Sequence, residues 1–546
     1  MNSKEAKITK DTHPDEYPSD MNGELNKAVR FHQSGQLLEA QEIYKKILKT
    51  VPNHSDSLHL LGFIAHQTGD NDTAFKLITR AIRTHPKYPF YHNSLGLVLK
   101  DQGKFEEAIV CYQKALELKP DMNEAYNNQG VAFQECGKLD EAIACYKRAL
   151  EINPDTAEAH FNMGNAYYEL ERLNEAISGY ENAIRLRPKY TDAYDNMGKA
   201  YQDLGRLEEA ISCYEKTLHL EPKNADAHFD LSLVFLLSGK FKEGWKEYEW
   251  RFLKSKWERT YSHRFDKPRW DGSIFEGKRL FVHAEQGMGD TIQFVRYLPM
   301  VKSLGGKVIV EVAKPLLTLF QDLPGIDELV VWSPIKKSDA RFDFYVPLLS
   351  IPGLFGTELE TIPAEVPYIY ADPRKIKHWR SRLKGGGFKM GLVWAGSPTN
   401  NDDRNRSCDL ENFFPLSQIP GVEVYGLQKG EAAAQVDGLP KGMAVTNLGE
   451  EFEDFADTAG VIENLDLVIS VDTAAAHLAG AMGKQVWTLL PFAPDWRWLM
   501  NRQDTPWYPT MRLFRQPKRG DWGVVFQQVV HELFKLLQNR PIGSLS

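Results

Sequence analysis

Three short segments carry residues whose types and spacing can do chemistry. In Glu285-Gln286-Gly287-Met288-Gly289-Asp290, two glycines and two carboxylates lie between a strand-like and a helix-like run. Glycines let backbone approach a ligand, and a helix N-terminus behind them favours negative charge. Gly287 and Gly289 are therefore candidate ligand contacts. Asp290 either takes part in that chemistry or is an ordinary N-cap. No Gly-Lys-Ser/Thr follows, and the pattern falls short of G-x-G-x-x-G, so neither a Walker loop nor dinucleotide oxidoreduction is supported.

The second segment is Ser470-Val471-Asp472-Thr473-Ala474-Ala475-Ala476-His477. A buried strand ends at Val471, and Asp472 and Thr473 open an Ala-rich helix. Ligands of open α/β sheets sit at the carboxyl ends of strands, where N–H groups of a helix start suit a pyrophosphate. With a hydroxyl at Thr473, small residues behind it and His477 one turn on, the segment reads as a closely approached ligand site. A capping Asp472 and a structural His477 are the alternatives. The third segment joins Trp394-Ala395-Gly396-Ser397-Pro398 to Asn401-Asp402-Asp403-Arg404-Asn405-Arg406. Ser397 ends the small-residue loop, and the Arg404 and Arg406 guanidinium groups suit a diphosphate. The Asn-Asp-Asp run reads as a solvated loop, and no His/Cys/Asp/Glu cluster has metal-ligand spacing.

These segments need rigid elements to hold them. Strand-like runs at 279–284, 307–312, 388–396, 422–428 and 485–491 alternate with helix-like runs at 290–303 and 315–322, as in parallel α/β units. Pro and Gly thicken around 347–373, where a crossing between two similar α/β halves is expected.

The first half is built differently. All 12 Trp lie at or after Trp245, and before that point the chain repeats. Pro52, Pro86, Pro120, Pro154, Pro188 and Pro222 keep a 34-residue interval; with 29 Pro in 546 residues, five successive hits are no accident. Gly62, Gly96, Gly130, Gly164 and Gly198 share the register, as do Ala40, Ala74, Ala108, Ala142, Ala176 and Ala210. A turn series, Gly35, Gly69, Gly103, Gly137, Gly205 and Gly239, is broken only by Glu171. Each unit reads as helix–turn–helix, with glycine at the turn and small residues where helices cross. This resembles the tetratricopeptide repeat (TPR), whose period is 34. Six repeats span 21–224, and a degenerate seventh, 225–258, has Lys256 in place of Pro. Asn128, Asn162 and Asn196 share one slot of three successive repeats. Asn costs ~0.5 kcal/mol against Ala in a helix, so the column reads as amides that bind the backbone of an extended polypeptide. Solvation or capping is the alternative.

The motifs QGMGD, VWAGSP, YGLQKG and SVDTAAAHLAGAMGKQVWTLLP together resemble GT-B glycosyltransferases of the heptosyltransferase (family 9) type over roughly 275–540. With the repeats in front, the layout is similar to bacterial TPR-glycosyltransferases, O-GlcNAc transferases and flagellin glycosyltransferases. The Asn column matches the Asn ladder of O-GlcNAc transferase repeats. The resemblance implies Asp290 as the base for the acceptor hydroxyl, and Asp472 and Thr473 as ligands of donor phosphate and sugar. It implies Arg406, with Arg404 second, as the phosphate cation, and Gln428 or Lys429 as nucleoside contacts. That family usually has an acidic side chain in this turn, so Gln428 is a departure that leaves the base open. Pro494-Asp495-Trp496-Arg497-Trp498 has no counterpart in simple heptosyltransferases and is assigned to acceptor recognition or the interdomain wall, with packing as the alternative.

The expected architecture is an α-solenoid (TPR superhelix) followed by an α/β GT-B fold of two Rossmann-like domains. Its parts are a disordered tail at 1–20, the array at 21–258, an acceptor-side domain at 270–370 and a donor domain at 371–540. The implied activity is metal-independent, inverting transfer from a nucleotide-sugar to a protein acceptor, flagellin among the classes, with no cofactor besides the donor. The rivals are a scaffold with an inactive transferase domain, a lipopolysaccharide heptosyltransferase-like enzyme, and a donor carried on CMP. The composition agrees with a soluble protein: 42% apolar, 26% charged, no membrane-length apolar run and no secretory h-region. A net charge of −8 argues against a general nucleic-acid binder. Five Cys without CxxC spacing fit a reducing, cytoplasmic compartment. Self-association is left open.

Overall fold

The computed structural model describes residues 19–254, 265–332, 341–383, 385–398 and 403–539. Most of the expected tail and Lys256 lie outside them. The chain forms two compact units, Met1–Tyr201 and Gln202–Ser546.

Antiparallel helices fill the first unit: α1 (Ser19–Gln33), α2 (Leu37–Thr50), α3 (Ser55–Gln67), α4 (Asn71–Thr84), α5 (Pro89–Asp101), α6 (Phe105–Leu118), α7 (Asn123–Glu135), α8 (Leu139–Ile152), α9 (Ala157–Glu169), α10 (Leu173–Leu186) and α11 (Thr191–Asp203), whose last residues cross into the second unit. In α8 the buried Ala142, Ile143, Tyr146 and Ala149 recur at helical spacing, giving one apolar face. The turn glycines Gly35, Gly69, Gly103 and Gly137 have φ between 71° and 87°, and Glu171 takes the same left-handed conformation at φ 59°. The crossing glycines are sterically required. A Cβ on Gly96 would lie 2.5 Å from the Tyr112 ring, and one on Gly130 would lie 2.5 Å from Tyr146.

The second unit starts with α12 (Leu207–Leu220), α13 (Ala225–Leu237) and α14 (Phe241–Tyr248), then a 3-10 turn, Glu249–Leu253. The seventh repeat thus has a shortened second helix. Two parallel sheets follow. The first contains β1 (Arg279–His283), β2 (Lys307–Val312), β3 (Glu328–Val331) and β4 (Phe344–Pro347), in the order β3-β2-β1-β4. Its central pairings are Phe281 with Ile309 and with Tyr345. The second contains β5 (Phe388–Val393), β6 (Val422–Gly426), β7 (Thr446–Asn447), β8 (Leu467–Val471), β9 (Val486–Leu490) and β10 (Met511–Arg515), in the order β10-β9-β8-β5-β6-β7. β8 and β9 are buried throughout, so they read as continuous apolar runs.

One apolar core joins Phe241, Trp245 and Tyr248 of α14 to Leu280 and Val282 of the first sheet and to Val468, Ala476 and Trp496 of the second half. That continuity explains why α12–α14 sort with the sheets. Two helical expectations change. The run expected at 290–303 begins earlier, as Met288–Phe294, and is interrupted by a 3-10 turn at Val295–Tyr297 before Leu298–Ser303, where Pro299 sits in the first turn. The run at 315–322 forms only a 3-10 turn, Lys314–Leu316, with the Pro324-Gly325 pair following it.

Candidate functional site

Strand order fixes where a ligand crevice opens. The chain runs outward through β1, β2 and β3, then returns to place β4 on the other side of β1. It does the same from β5 through β6 and β7 before β8 returns beside β5. Crevices therefore open at the carboxyl ends of β1/β4 and β5/β8. Gly287 and Asp290 follow β1, Gly396 and Ser397 follow β5, and Asp472 and Thr473 follow β8. These candidates are thus gathered at switch points, whereas Gln428 and Lys429 follow β6.

Gly287 caps the Met288–Phe294 helix, and Asp290, its third residue, accepts the Gly287 N–H at 2.7 Å through Oδ2. Asp290 is therefore not the N-cap; its carboxylate reaches back over the turn. Its Oδ1 accepts from the Arg497 guanidinium. Arg497 is buried, donates from Nε to Gln293 Oε1 at 2.8 Å and from Nη1 to Asp495 Oδ1 at 2.8 Å, and stacks on Trp496. Burial raises the Asp290 carboxyl above its ordinary range, against the pull of Arg497 and with a push from Asp495.

Gly289 answers a helix. A Cβ there would lie 2.9 Å from the His477 ring and 3.4 Å from Ala474 Cα, so the Met288–Phe294 and Ala474–Ala481 helices meet at their N-terminal turns. The small residues thus serve this crossing, where the sequence suggested an approaching ligand. His477 is buried, with Nδ1 2.9 Å from Tyr508 Oη and its ring stacked on Trp498. Burial, then Arg497 and Arg296, lowers its pKa well below the ordinary value, leaving a neutral packing group.

Asp472 Oδ1 lies 3.9 Å from His477 Nε2. Burial, with Asp495 adding repulsion, pushes its pKa up to about 6, opposed by Trp498, Arg406 and Arg497. Thr473 caps the following helix, its Oγ1 2.8 Å from Ser470 Oγ. Arg406 lies against Gly396, where a Cβ would come within 2.4 Å of Nη2. Its Nε is 3.3 Å from Asp403 Oδ1, and its charge is felt at Asp472 and His477. Asp403 also accepts from Ser407 Oγ, which ties the loop internally. Arg404 and Ser397 are exposed, and Asn401 and Asp402 lie outside the described residues.

The Gln428 amide is bonded to backbone on both sides. It is buried, and Oε1 accepts from the N–H groups of Trp394 and Ala395 at 3.2 and 2.9 Å while Nε2 donates to Lys429 O at 3.1 Å. It shapes the loop after β5 from beneath. Lys429 is exposed, and its ammonium donates to Phe452 O.

In the first unit, the Asn column is knit from repeat to repeat. Asn128 Nδ2 donates to Asn93 Oδ1 at 3.4 Å, Asn162 to Asn127 at 3.1 Å and Asn196 to Asn165 at 2.9 Å. The first two span 35 residues and the third 31, and His32 with Gln67 and His59 with Ser94 repeat the 35-residue step. The Oδ1 atoms of Asn128, Asn162 and Asn196 accept no hydrogen bond among the described residues.

Two contributors have partners that the sequence did not show, although the stretch holding Arg497 was assigned to acceptor recognition or the interdomain wall. Arg497 stood only in a Trp-rich stretch, with no signal of its partner. Arg251, on the 3-10 turn after α14, is buried and grips Glu285 through two hydrogen bonds of 2.9 and 2.7 Å. No group of three or more His, Cys, Asp or Glu among the described residues is arranged to hold a metal ion. None of the described helices is long and apolar enough to cross a membrane.

A TPR repeat family model matches residues 96–137, 132–171, 164–205 and 198–239. The chain is 29% identical to Protein FlbA of Caulobacter vibrioides over 313 residues, 52% of this chain and 51% of that protein. It thus spans about half the length of that curated relative. Among solved structures, it is similar to MamA (28% identity, 31% of this chain and 98% of MamA, TM-score 0.29). It is also similar to a thermophilic TPR protein in Thermus thermophilus (23%, 33% and 99%, TM-score 0.29). The family match and the strand pairing show TPR repeats followed by a parallel-sheet α/β region.

Proposed function

We propose that the chain is a TPR-containing glycosyltransferase of GT-B, heptosyltransferase-like type. It would move a sugar from a nucleotide-sugar to a protein acceptor held by the repeats. TPR arrays generally bind proteins, and the three Asn Oδ1 acceptors offer partners for the N–H groups of an extended peptide. The observation that carries the reading is the convergence of Arg406, Asp472 and Thr473 at the β5/β8 switch point. That crevice offers a cation, a hydroxyl and a helix start to a diphosphate.

In the proposed reaction the acceptor hydroxyl attacks the anomeric carbon as its bond to the diphosphate oxygen breaks, with inversion and without a metal. Asp290 takes the hydroxyl proton; a carboxyl raised by burial suits a general base. Asp290 must then exchange Arg497 for the acceptor. Arg406 and the N–H groups at the Ala474 helix start hold the charge on the departing nucleoside diphosphate.

The test is nucleoside diphosphate release from a panel of nucleotide-sugars, with acceptor mass followed in parallel. Asp290→Asn should lower kcat about 10²–10⁴-fold. Full rate in that variant would remove the base. A second reading, a TPR scaffold whose α/β region does not turn over, draws on the engagement of both Asp290 oxygens. It predicts acceptor binding without release from any donor.

A further inference from the structure

The crevice at the β1/β4 switch point is where a ligand of the first sheet would sit, yet side chains from the end of the helical array enter it. Arg251 Nη2 donates to Glu285 Oε1 at 2.7 Å and to Ser350 Oγ at 2.7 Å, and Nε donates to Glu285 Oε2 at 2.9 Å. Glu285 follows β1 and Ser350 follows β4, so one guanidinium ties both loops. Glu285 Oε1 also accepts the Leu349 N–H at 3.2 Å. The next loop residue, Gln286, donates from Nε2 to Tyr248 Oη at 2.8 Å, and the Arg251 guanidinium covers the Tyr248 ring. Trp245 adds a third tie, from Nε1 to Thr357 O at 2.9 Å.

The side chains of Arg251 and Glu285 are almost wholly buried, at 1% and 0% exposure. A buried ion pair contributes little net stability beside an apolar replacement but fixes geometry strictly, because removing one partner strands the other. Both contacts land on the two residues that precede Gly287 and the carboxylate-bearing turn. We propose that Tyr248 and Arg251 are positioning residues for the glycine loop, so that the last repeat is a working part of the site. They set where Asp290 lies; neither touches it directly.

The experiment uses the full chain, comparing wild type with Tyr248→Phe and Arg251→Lys by hydrogen–deuterium exchange and by steady-state donor turnover. Tyr248→Phe removes only the hydroxyl, so it keeps the test decisive if Arg251→Lys misfolds. The expected result is at least tenfold faster exchange in peptides covering 284–291, with β8 and β9 unchanged. The turnover arm rests on the glycosyltransferase reading: kcat should fall at least tenfold while the donor KM stays put. Exchange unchanged in 284–291, or raised uniformly, would overturn the proposal, as would a kcat equal to wild type. If wild-type protein releases no nucleotide, the transferase reading fails, and loop exchange alone decides the positioning claim.

Discussion

Asp290 and Arg497 form a largely buried ion pair although 207 residues separate them in the chain. The carboxylate ends a loop of the first sheet, and the guanidinium comes from a turn between β9 and β10 of the second half. The same arginine is held by Asp495 and Gln293. The pair therefore clamps the two α/β halves at the point where chemistry is proposed. Removing one partner of a buried pair leaves an uncompensated charge, at a cost of about 3–5 kcal/mol. Arg497→Ala should lower unfolding free energy by that order in a denaturant titration. A change within ~0.5 kcal/mol would mean that the clamp is not formed.

The raised carboxyl of Asp472 makes stability depend on pH. Its folded pKa, about 6, lies above the ordinary value of about 3.9, so the folded state binds the proton more tightly. This group's contribution is fully present below pH ~4 and is lost as pH rises towards 6. Asp472→Asn removes the dependence. Its stability relative to wild type should rise between pH 4 and 6 by on the order of 2 kcal/mol, then level off. Parallel pH curves for the two proteins would contradict the assignment.

Glu171 occupies the left-handed turn that glycine fills in the other repeats. That conformation costs a non-glycine residue roughly 1–2 kcal/mol. Glu171→Gly should raise the midpoint of thermal unfolding, and Gly137→Ala, at φ 71°, should lower it. Shifts of the same sign would refute the turn argument.

Gly130 and Gly289 test close packing in the two units separately. A Cβ would meet the Tyr146 ring at 2.5 Å in one case and the His477 ring at 2.9 Å in the other. Overpacking of this kind costs about 1–3 kcal/mol. Each alanine variant should lose that much by calorimetry, and a neutral Gly289→Ala would show that the two helix starts do not meet.

The Asn column separates a binding role from a structural one. Each amide donates one hydrogen bond between repeats, worth about 0.5–1.5 kcal/mol net. The triple variant Asn128→Ala, Asn162→Ala and Asn196→Ala should stay folded by circular dichroism while losing acceptor binding at least tenfold in a pull-down titration. Undiminished binding would restrict the column to tying repeats together.

The repeats were legible because their period is carried by glycine, alanine and proline, whose backbone roles are local. The parallel strands were legible as buried apolar runs, and the switch-point loops as glycines or small residues at strand ends. Local sequence has no means of showing how distant side chains pair. Nothing around Arg497 points to Asp290, and nothing around Arg251 points to Glu285. Nothing around Gln428 shows that its amide bonds to the Trp394 and Ala395 backbone. Gly289 and Ala474 read as room for a ligand because smallness alone does not say whether a ligand or a helix fills the space.

The most direct measurement is thermal unfolding of the purified chain with UDP, GDP, ADP, dTDP and CMP, alongside Arg406→Ala. A ligand at 100 times its Kd stabilises the folded state by about 2.7 kcal/mol. One nucleotide should raise the unfolding midpoint of the α/β region by a few degrees, and Arg406→Ala should abolish the shift. A folded wild-type protein whose midpoint moves with none of the five would contradict a donor site at the β5/β8 crevice.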